Sequence, residues 1–210
     1  YEWLTAKQKI QYRVLESKEA YVDKEFIARK LNDLKYPLYH LDFETMNAPL
    51  PLFKGEKPYQ QSVFQFSLHI ERQPGVCDKE QDQIAYLASG SKDEREALVK
   101  ALIKAIPNDG KGEVVAYNQG FEKGRMKELA KIFPQYAQAL MSIVNRTMDL
   151  MHFIKPSKDI IEAYYGDKEA IPGISYYHEY LQRSYSIKKV LPIFAPHLDY
   201  SRLMEVHNGT

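Results

Sequence analysis

Tyr36-Pro37-Leu38-Tyr39-His40-Leu41-Asp42-Phe43-Glu44-Thr45 is an apolar run that ends in two carboxylates one residue apart. Read as a strand over 38–43, it sends successive side chains to opposite faces, so Asp42 and Glu44 share one face and Phe43 takes the other. Two carboxylates held side by side repel unless a cation sits between them. The pair has two readings: an ordinary strand-end turn, or part of a divalent-metal site of the kind that cleaves phosphodiesters. Other acidic pairs at this spacing, Asp23/Glu25 and Asp78/Glu80 among them, lack the apolar strand in front.

Two downstream segments repeat the theme. Val114-Val115-Ala116-Tyr117-Asn118-Gln119-Gly120-Phe121-Glu122 reads as a short strand followed by a helix, which puts Glu122 in the first helical turn. There it either complements the helix dipole or reaches a ligand, and Asn118 either caps the helix or hydrogen-bonds a ligand carboxylate. Asp149, between Met148 and Leu150, is an acid inside an apolar run. It pairs with Arg146 or a lysine, or it joins the other carboxylates at one edge of a sheet, where oxygen ligands suit Mg²⁺ or Mn²⁺.

The remaining pattern is that of an α/β protein with a mixed sheet. A helix capped by Thr5 and another over 24–34 form a helical lead-in over 1–35. Alternation predicts strands over 62–71 and, more weakly, 83–87. Helices are expected over 93–106, 121–132, 135–143 and 186–194, an edge strand within 146–153, and irregular structure over 155–182. His40 and His69 lie in strands and are expected to be packed or hydrogen-bonded.

At 210 residues with 44% hydrophobic content, the chain suits one domain with an appendage. A net charge of +1 provides no global field for nucleic acid or membrane, although it can hide local patches. The single cysteine, Cys77, excludes an intrachain disulfide. No apolar run approaches the length of a membrane span, so a cytoplasmic protein with no membrane partner is expected. The 16 tyrosines serve packing, or some of them serve as base-stacking platforms. No phosphate-cradling glycine loop or Ser-His-Asp spacing supports another hydrolase class.

Asp42-Phe43-Glu44-Thr45, Ala116-Tyr117-Asn118-Gln119-Gly120-Phe121-Glu122, Thr147-Met148-Asp149-Leu150 and Ser184-Tyr185-Ser186-Ile187-Lys188-Lys189-Val190-Leu191 resemble, in order, motifs of the DnaQ-like (DEDD) 3′–5′ exonucleases of the ribonuclease H-like superfamily. More closely, the stretches 36–45, 58–69, 117–129 and 184–192 resemble an uncharacterised bacterial family, domain of unknown function 2779. The resemblance implies a ribonuclease H-like fold over 36–210: a mixed central sheet flanked by helices, with the helical N-terminal extension before it. It implies a two-metal 3′–5′ exonuclease acting on single-stranded 3′ ends of DNA or RNA. Asp42, Glu44, Glu122 and Asp149 would be catalytic, with the first three holding two Mg²⁺ or Mn²⁺ ions. Asn118, Lys123, Tyr185 and Lys188 would contact nucleic acid. It also implies an upstream RecB-like nuclease domain in the full-length chain. Two departures stand out. Glu122 occupies a position where the superfamily usually has Asp, and the fourth acid has no clear counterpart. The nearest candidates are His197 with Asp199, and Glu205, so a domain truncated at its C-terminal end is expected. These departures also motivate the alternative of a catalytically inactive nucleic-acid-binding or scaffold domain.

Overall fold

Residues 2–182 and 184–198 are described by the computed structural model. In chain order the elements are α1 (Ala6–Ser17), β1 (Tyr21–Val22), α2 (Lys24–Asn32), β2 (Leu38–Met46), β3 (Ser62–Glu71), β4 (Gln83–Leu87), α3 (Arg95–Ala105) and β5 (Glu113–Ala116). They continue with α4 (Gly120–Ile132), α5 (Ala137–Asn145), β6 (Thr147–Asp149), α6 (Lys158–Tyr165), β7 (Tyr176–Tyr177) and α7 (Ile187–Phe194). The chain divides into two compact units. One is Asp33–Leu150; the other combines the described residues of 1–32 and 151–210.

The Asp33–Leu150 unit is built on a five-stranded sheet of order β4-β3-β2-β5-β6. β2 pairs antiparallel with β3 and parallel with β5, β3 pairs antiparallel with β4, and β5 pairs parallel with β6. Only β3 therefore runs against the rest. That order and polarity make a mixed central sheet, as the element order and the resemblance implied. Alternation along the strands sorts the two faces. Tyr39, Leu41 and Phe43 of β2 and Phe66, Leu68 and Ile70 of β3 join the core with Leu98 and Leu102 of α3, Met126 and Leu129 of α4, and Leu140 and Ile143 of α5. Each fully buried side chain of this class contributes roughly 1.5–3 kcal/mol. The other face carries His40, Asp42 and Glu44 of β2, in register with His69, Ser67 and Gln65 of β3. Both histidines there are hydrogen-bonded, His40 Nε2 to Glu71 Oε2 at 3.0 Å and His69 Nε2 to Ser67 Oγ at 3.4 Å.

β5 enters beside β2 through a turn that needs glycine. Gly112 has φ 72°, and a Cβ there would run into the Pro37 carbonyl oxygen, which accepts the Glu113 N–H at 3.1 Å.

In the other unit, Thr5 and Gln8 form a reciprocal capping box at the start of α1. β1 pairs antiparallel with β7. The irregular structure expected over 155–182 is corrected by α6. Ser157 caps that helix by accepting the Ile160 N–H, Gly166 ends it in a left-handed conformation, and Ile161 is buried. Tyr164 and Tyr165 pack on Phe26 of α2, with ring centroids 5.5 and 6.5 Å away. Such a short helix holds because of packing contacts more than propensity.

The loop 47–61 after β2 is pinned by an arginine. Arg95, only 4% exposed, donates to Asp93 Oδ1 at 2.9 Å and Asp93 Oδ2 at 2.7 Å, and to Glu56 Oε1 at 2.9 Å. Its guanidinium lies 4.9 Å from the centre of the Phe53 ring. The Glu56 side chain is also 4% exposed. Removing one partner of such a buried pair leaves an uncompensated charge. Arg95→Ala is therefore expected to lower unfolding free energy by about 3–5 kcal/mol, read from urea denaturation. A loss under 1 kcal/mol would show that the loop is held by other means.

Candidate active site

The sheet places Asp42 and Glu44 differently from the sequence expectation of a strand end. β2 continues to Met46 because β3 offers partners as far as Ser62. The two carboxylates consequently sit inside the strand, on the face away from the core, separated by one two-residue repeat, or roughly 7 Å. The register shifts immediately afterwards, between Glu44 and Thr45, a local irregularity of the kind that re-aims side chains beside sites. The Asp42 carboxyl is pushed above its usual range by the protein packed around it, an effect partly offset by the Phe43 N–H.

Glu122 is brought to the same region by the strand-to-helix link. β5 ends at Ala116 and α4 starts at Gly120, so the chain must turn within three residues. Asn118 takes up the turn with φ 64°. Gln119 occupies the cap position without a side-chain capping bond, so Asn118 does not cap the helix as one reading allowed. Glu122 follows in the first turn and is 4% exposed. Its Oε2 is buried with no hydrogen-bond partner among the described residues. Its carboxyl is raised to about 7, chiefly by burial, then by the charges of Asp42 and Asp149, against the helping hydrogen bond of its own N–H.

Asp149 is the last residue of β6 and is paired with Ala116 of β5. Its Oδ1 accepts the Asn118 N–H at 2.9 Å and its Oδ2 accepts the Gln119 N–H at 3.1 Å. One carboxylate thus holds two of the N–H groups of the turn that presents Glu122. Arg146, offered by the sequence as its partner, donates instead to the carbonyls of Lys111 and Pro107. Lys123 lies within the field of Asp149, and its ammonium is lowered, first by burial and then by Lys127. Tyr117 is pushed up to about 12 by burial and by the Asp149 charge.

The structure therefore brings Asp42 and Asp149 each into electrostatic range of Glu122, with Glu44 tied to Asp42 through the strand. Among the described residues, no three His, Cys, Asp or Glu side chains converge tightly enough to hold a metal ion. The donor chemistry nonetheless fits a hard divalent cation: carboxylate oxygens, one of them buried and lacking a hydrogen bond. Tyr185, expected to contact nucleic acid, is 5% exposed, and its hydroxyl donates to the Tyr176 carbonyl at 3.4 Å, so its ring is packed and offers no open stacking face. Lys188 is exposed on α7 and belongs, like Tyr185, to the unit that contains residues 151–198. His197 is described; Asp199 and Glu205 lie outside the described residues. No helix among the described residues is long and apolar enough to cross a membrane.

Residues 39–186 match the model of a family described as "Domain of unknown function (DUF2779)". The chain belongs to this family. A similar curated protein is "Uncharacterized protein UU173" of Ureaplasma parvum serovar 3, 28% identical over 164 residues that make up 76% of this chain. The DUF2779 chain spans only 21% of that relative's length. Two solved structures are similar in outline. "Structure of S. pombe Pop2p - Mg2+ and Mn2+ bound form" is 13% identical with a TM-score of 0.37, covering 78% of this chain and 74% of that one. "Structure of yeast NOT1 MIF4G domain co-crystallized with CAF1" is 10% identical with a TM-score of 0.39, covering 69% of each chain.

Burial of Glu122 sets a pH dependence on the metal-free DUF2779 chain. A carboxyl raised from 4.5 to about 7 binds its proton more tightly in the folded state. Its stabilising contribution is complete below pH 4.5 and is lost as pH rises through about 7, at most about 3 kcal/mol. Glu122→Gln, neutral throughout, should match the wild type near pH 4 and be more stable than it at pH 8 in EDTA. Parallel stability curves for the two proteins across this range would refute the assignment.

Proposed function

We propose that this chain is a metal-dependent nuclease domain, and more finely a 3′–5′ exonuclease that hydrolyses phosphodiester bonds at single-stranded 3′ ends of DNA or RNA. The observation that carries the reading is the Glu122 carboxylate: buried, with Oε2 short of a hydrogen bond among the described residues, and flanked by Asp42 and Asp149 on a five-stranded mixed sheet. An unpaired buried carboxylate among other carboxylates is unfavourable unless a cation compensates it.

Asp42, Glu44 and Glu122 would hold Mg²⁺ or Mn²⁺, as two ions that supply an acidified water and charge stabilisation at the leaving oxygen. The chain's own groups do the rest. Asp149 fixes the 118–119 turn, and with it the position of Glu122. The packing around Glu122 excludes water and strengthens every charge interaction there. Lys123, next in the chain, offers a cation to a phosphate. A companion nuclease region of RecB-like type belongs to the same proposal, given the length of the relative. The inactive nucleic-acid-binding reading is favoured by one observation, the lack of three tightly convergent metal-ligating side chains among the described residues.

A single strand labelled at its 5′ end, incubated with Mn²⁺, should yield a ladder shortening from the 3′ end. Asp42→Ala should lower the rate roughly 10²- to 10³-fold, and Asp149→Asn, which weakens the hold on the turn, roughly 10- to 100-fold. EDTA should abolish cleavage. Equal rates for wild type and Asp42→Ala would end the proposal. Strand binding without cleavage, unchanged in EDTA and in Asp42→Ala, would establish the inactive reading in its place.

A further inference from the structure

One face of α4 leads away from the carboxylates as a basic edge. Lys123, Lys127 and Lys131 recur at intervals of four, so they align on one side of the helix over roughly 12 Å. Lys127 and Lys131 are exposed, and neither makes an ion pair with a described acid. Glu128, the nearest acid on that half of the helix, is held by Arg125 at 2.9 Å. At the far end of this edge lies a groove of about 420 Å³ between the C-terminal half of α4 and the loop before β3. Lys57, Tyr59 and Gln60 form one wall, and Glu128, Lys131 and Ile132 form the other.

Tyr59 is the unusual member. Its φ is 58°, a left-handed conformation that is unfavourable for an aromatic residue, yet the residue is 68% exposed. The loop holds it there. Tyr59 N–H donates to the Ala48 carbonyl at 2.8 Å, Arg95 grips Glu56, and Arg125 grips Gln61. A ring presented to solvent at the expense of backbone strain, in a groove carrying Lys57 and Lys131, has the makings of a stacking platform beside phosphate-binding cations.

We propose that a single strand of nucleic acid runs from the carboxylates along the Lys123-Lys127-Lys131 edge of α4 into this groove, where a base stacks on Tyr59. The direction of the strand rests on the nuclease reading above; the existence of the track does not. Lys127 and Lys131, which make no ion pair with a described acid, match a phosphate backbone, and an exposed aromatic ring matches a base of any sequence.

The test is fluorescence anisotropy of short labelled oligothymidylate and oligouridylate, with a duplex and polyglutamate as further probes, in EDTA so that binding is read without cleavage. Binding to either single strand supports the track, and the tighter of the two identifies the nucleic acid. The double variant Lys127→Gln/Lys131→Gln should reduce the slope of log affinity against log salt by about 1.4, two phosphate contacts at about 0.7 each. Tyr59→Gly should weaken binding roughly 5- to 150-fold, while Tyr59→Phe should bind as the wild type does. Glycine suits the left-handed backbone, so Tyr59→Gly should melt no lower than the wild type, which separates a lost platform from a lost fold. Wild-type affinity and salt slope in both the Lys127/Lys131 and Tyr59→Gly proteins would overturn the proposal. So would absence of single-strand binding, or equal affinity for duplex or polyglutamate. Because no metal or cleavage enters this readout, equal digestion rates for wild type and Asp42→Ala, which end the nuclease reading, and a failed track are distinguishable outcomes.

Discussion

The carboxylate of Asp149 is the interaction on which the candidate site depends. It accepts two backbone N–H groups from residues thirty positions earlier in the chain, and so fixes the turn between β5 and α4. Asn118 suits the left-handed region, but the N–H groups of so short a turn still need acceptors. Held by Asp149, it starts α4 at an angle that buries Glu122 and lets Met126 and Leu129 reach the core. Charge-assisted bonds of this kind are roughly twice as strong as neutral ones, so a single side chain on an edge strand suffices to define the geometry.

The sheet supplies the second requirement. Because β2 lies in the middle, paired on both sides, its register cannot slip without moving Tyr39, Leu41 and Phe43 out of the core. The same alternation that buries those three residues forces Asp42 and Glu44 together on the opposite face. Stability and acidity are thus linked in one strand: the apolar face holds the polar face in position. Glu122 then approaches from α4, and in its buried position the charges of Asp42 and Asp149 add to the cost of ionising it. A cost of this type is characteristic of groups whose compensating partner is a ligand.

Away from the acids, buried arginine chemistry shapes the loop that follows β2. Arg95 ties Glu56 and Asp93 together beneath Phe53, and Arg125 joins Gln61 to α4 while covering the Phe121 ring at 5.4 Å. These contacts make a long loop rigid enough to hold Tyr59 in an unfavourable backbone conformation. The same logic runs through the unit that contains α6, where capping by Ser157 and packing of Tyr164 on Phe26 build a helix from a segment that looks irregular in sequence.

Much of this was legible in the residues themselves. Period-two alternation in β2 and β3, the Thr5 cap, the position of Glu122 in a first helical turn and the order of the acids are all local patterns, set by the geometry of one residue and its near neighbours. Local pattern does not show α6, because its packing depends on Phe26, more than a hundred residues away. The strand-end placement of Asp42 was wrong because β2 is extended by its partner β3. Asp149 was offered Arg146 as a partner since the two are close in sequence, whereas its bonds go to Asn118 and Gln119. The lack of a partner for Glu122 Oε2 among the described residues, Arg95's burial against Glu56 and the exposure of Tyr59 have no local signal at all. The sequence by itself determined which side chains share a strand face or a helical turn, since those relations follow from backbone periodicity. Only the tertiary structure decided which carboxylates meet, which one loses its water and which aromatic ring keeps it, because desolvation and charge coupling depend on distances between parts of the chain that periodicity does not relate.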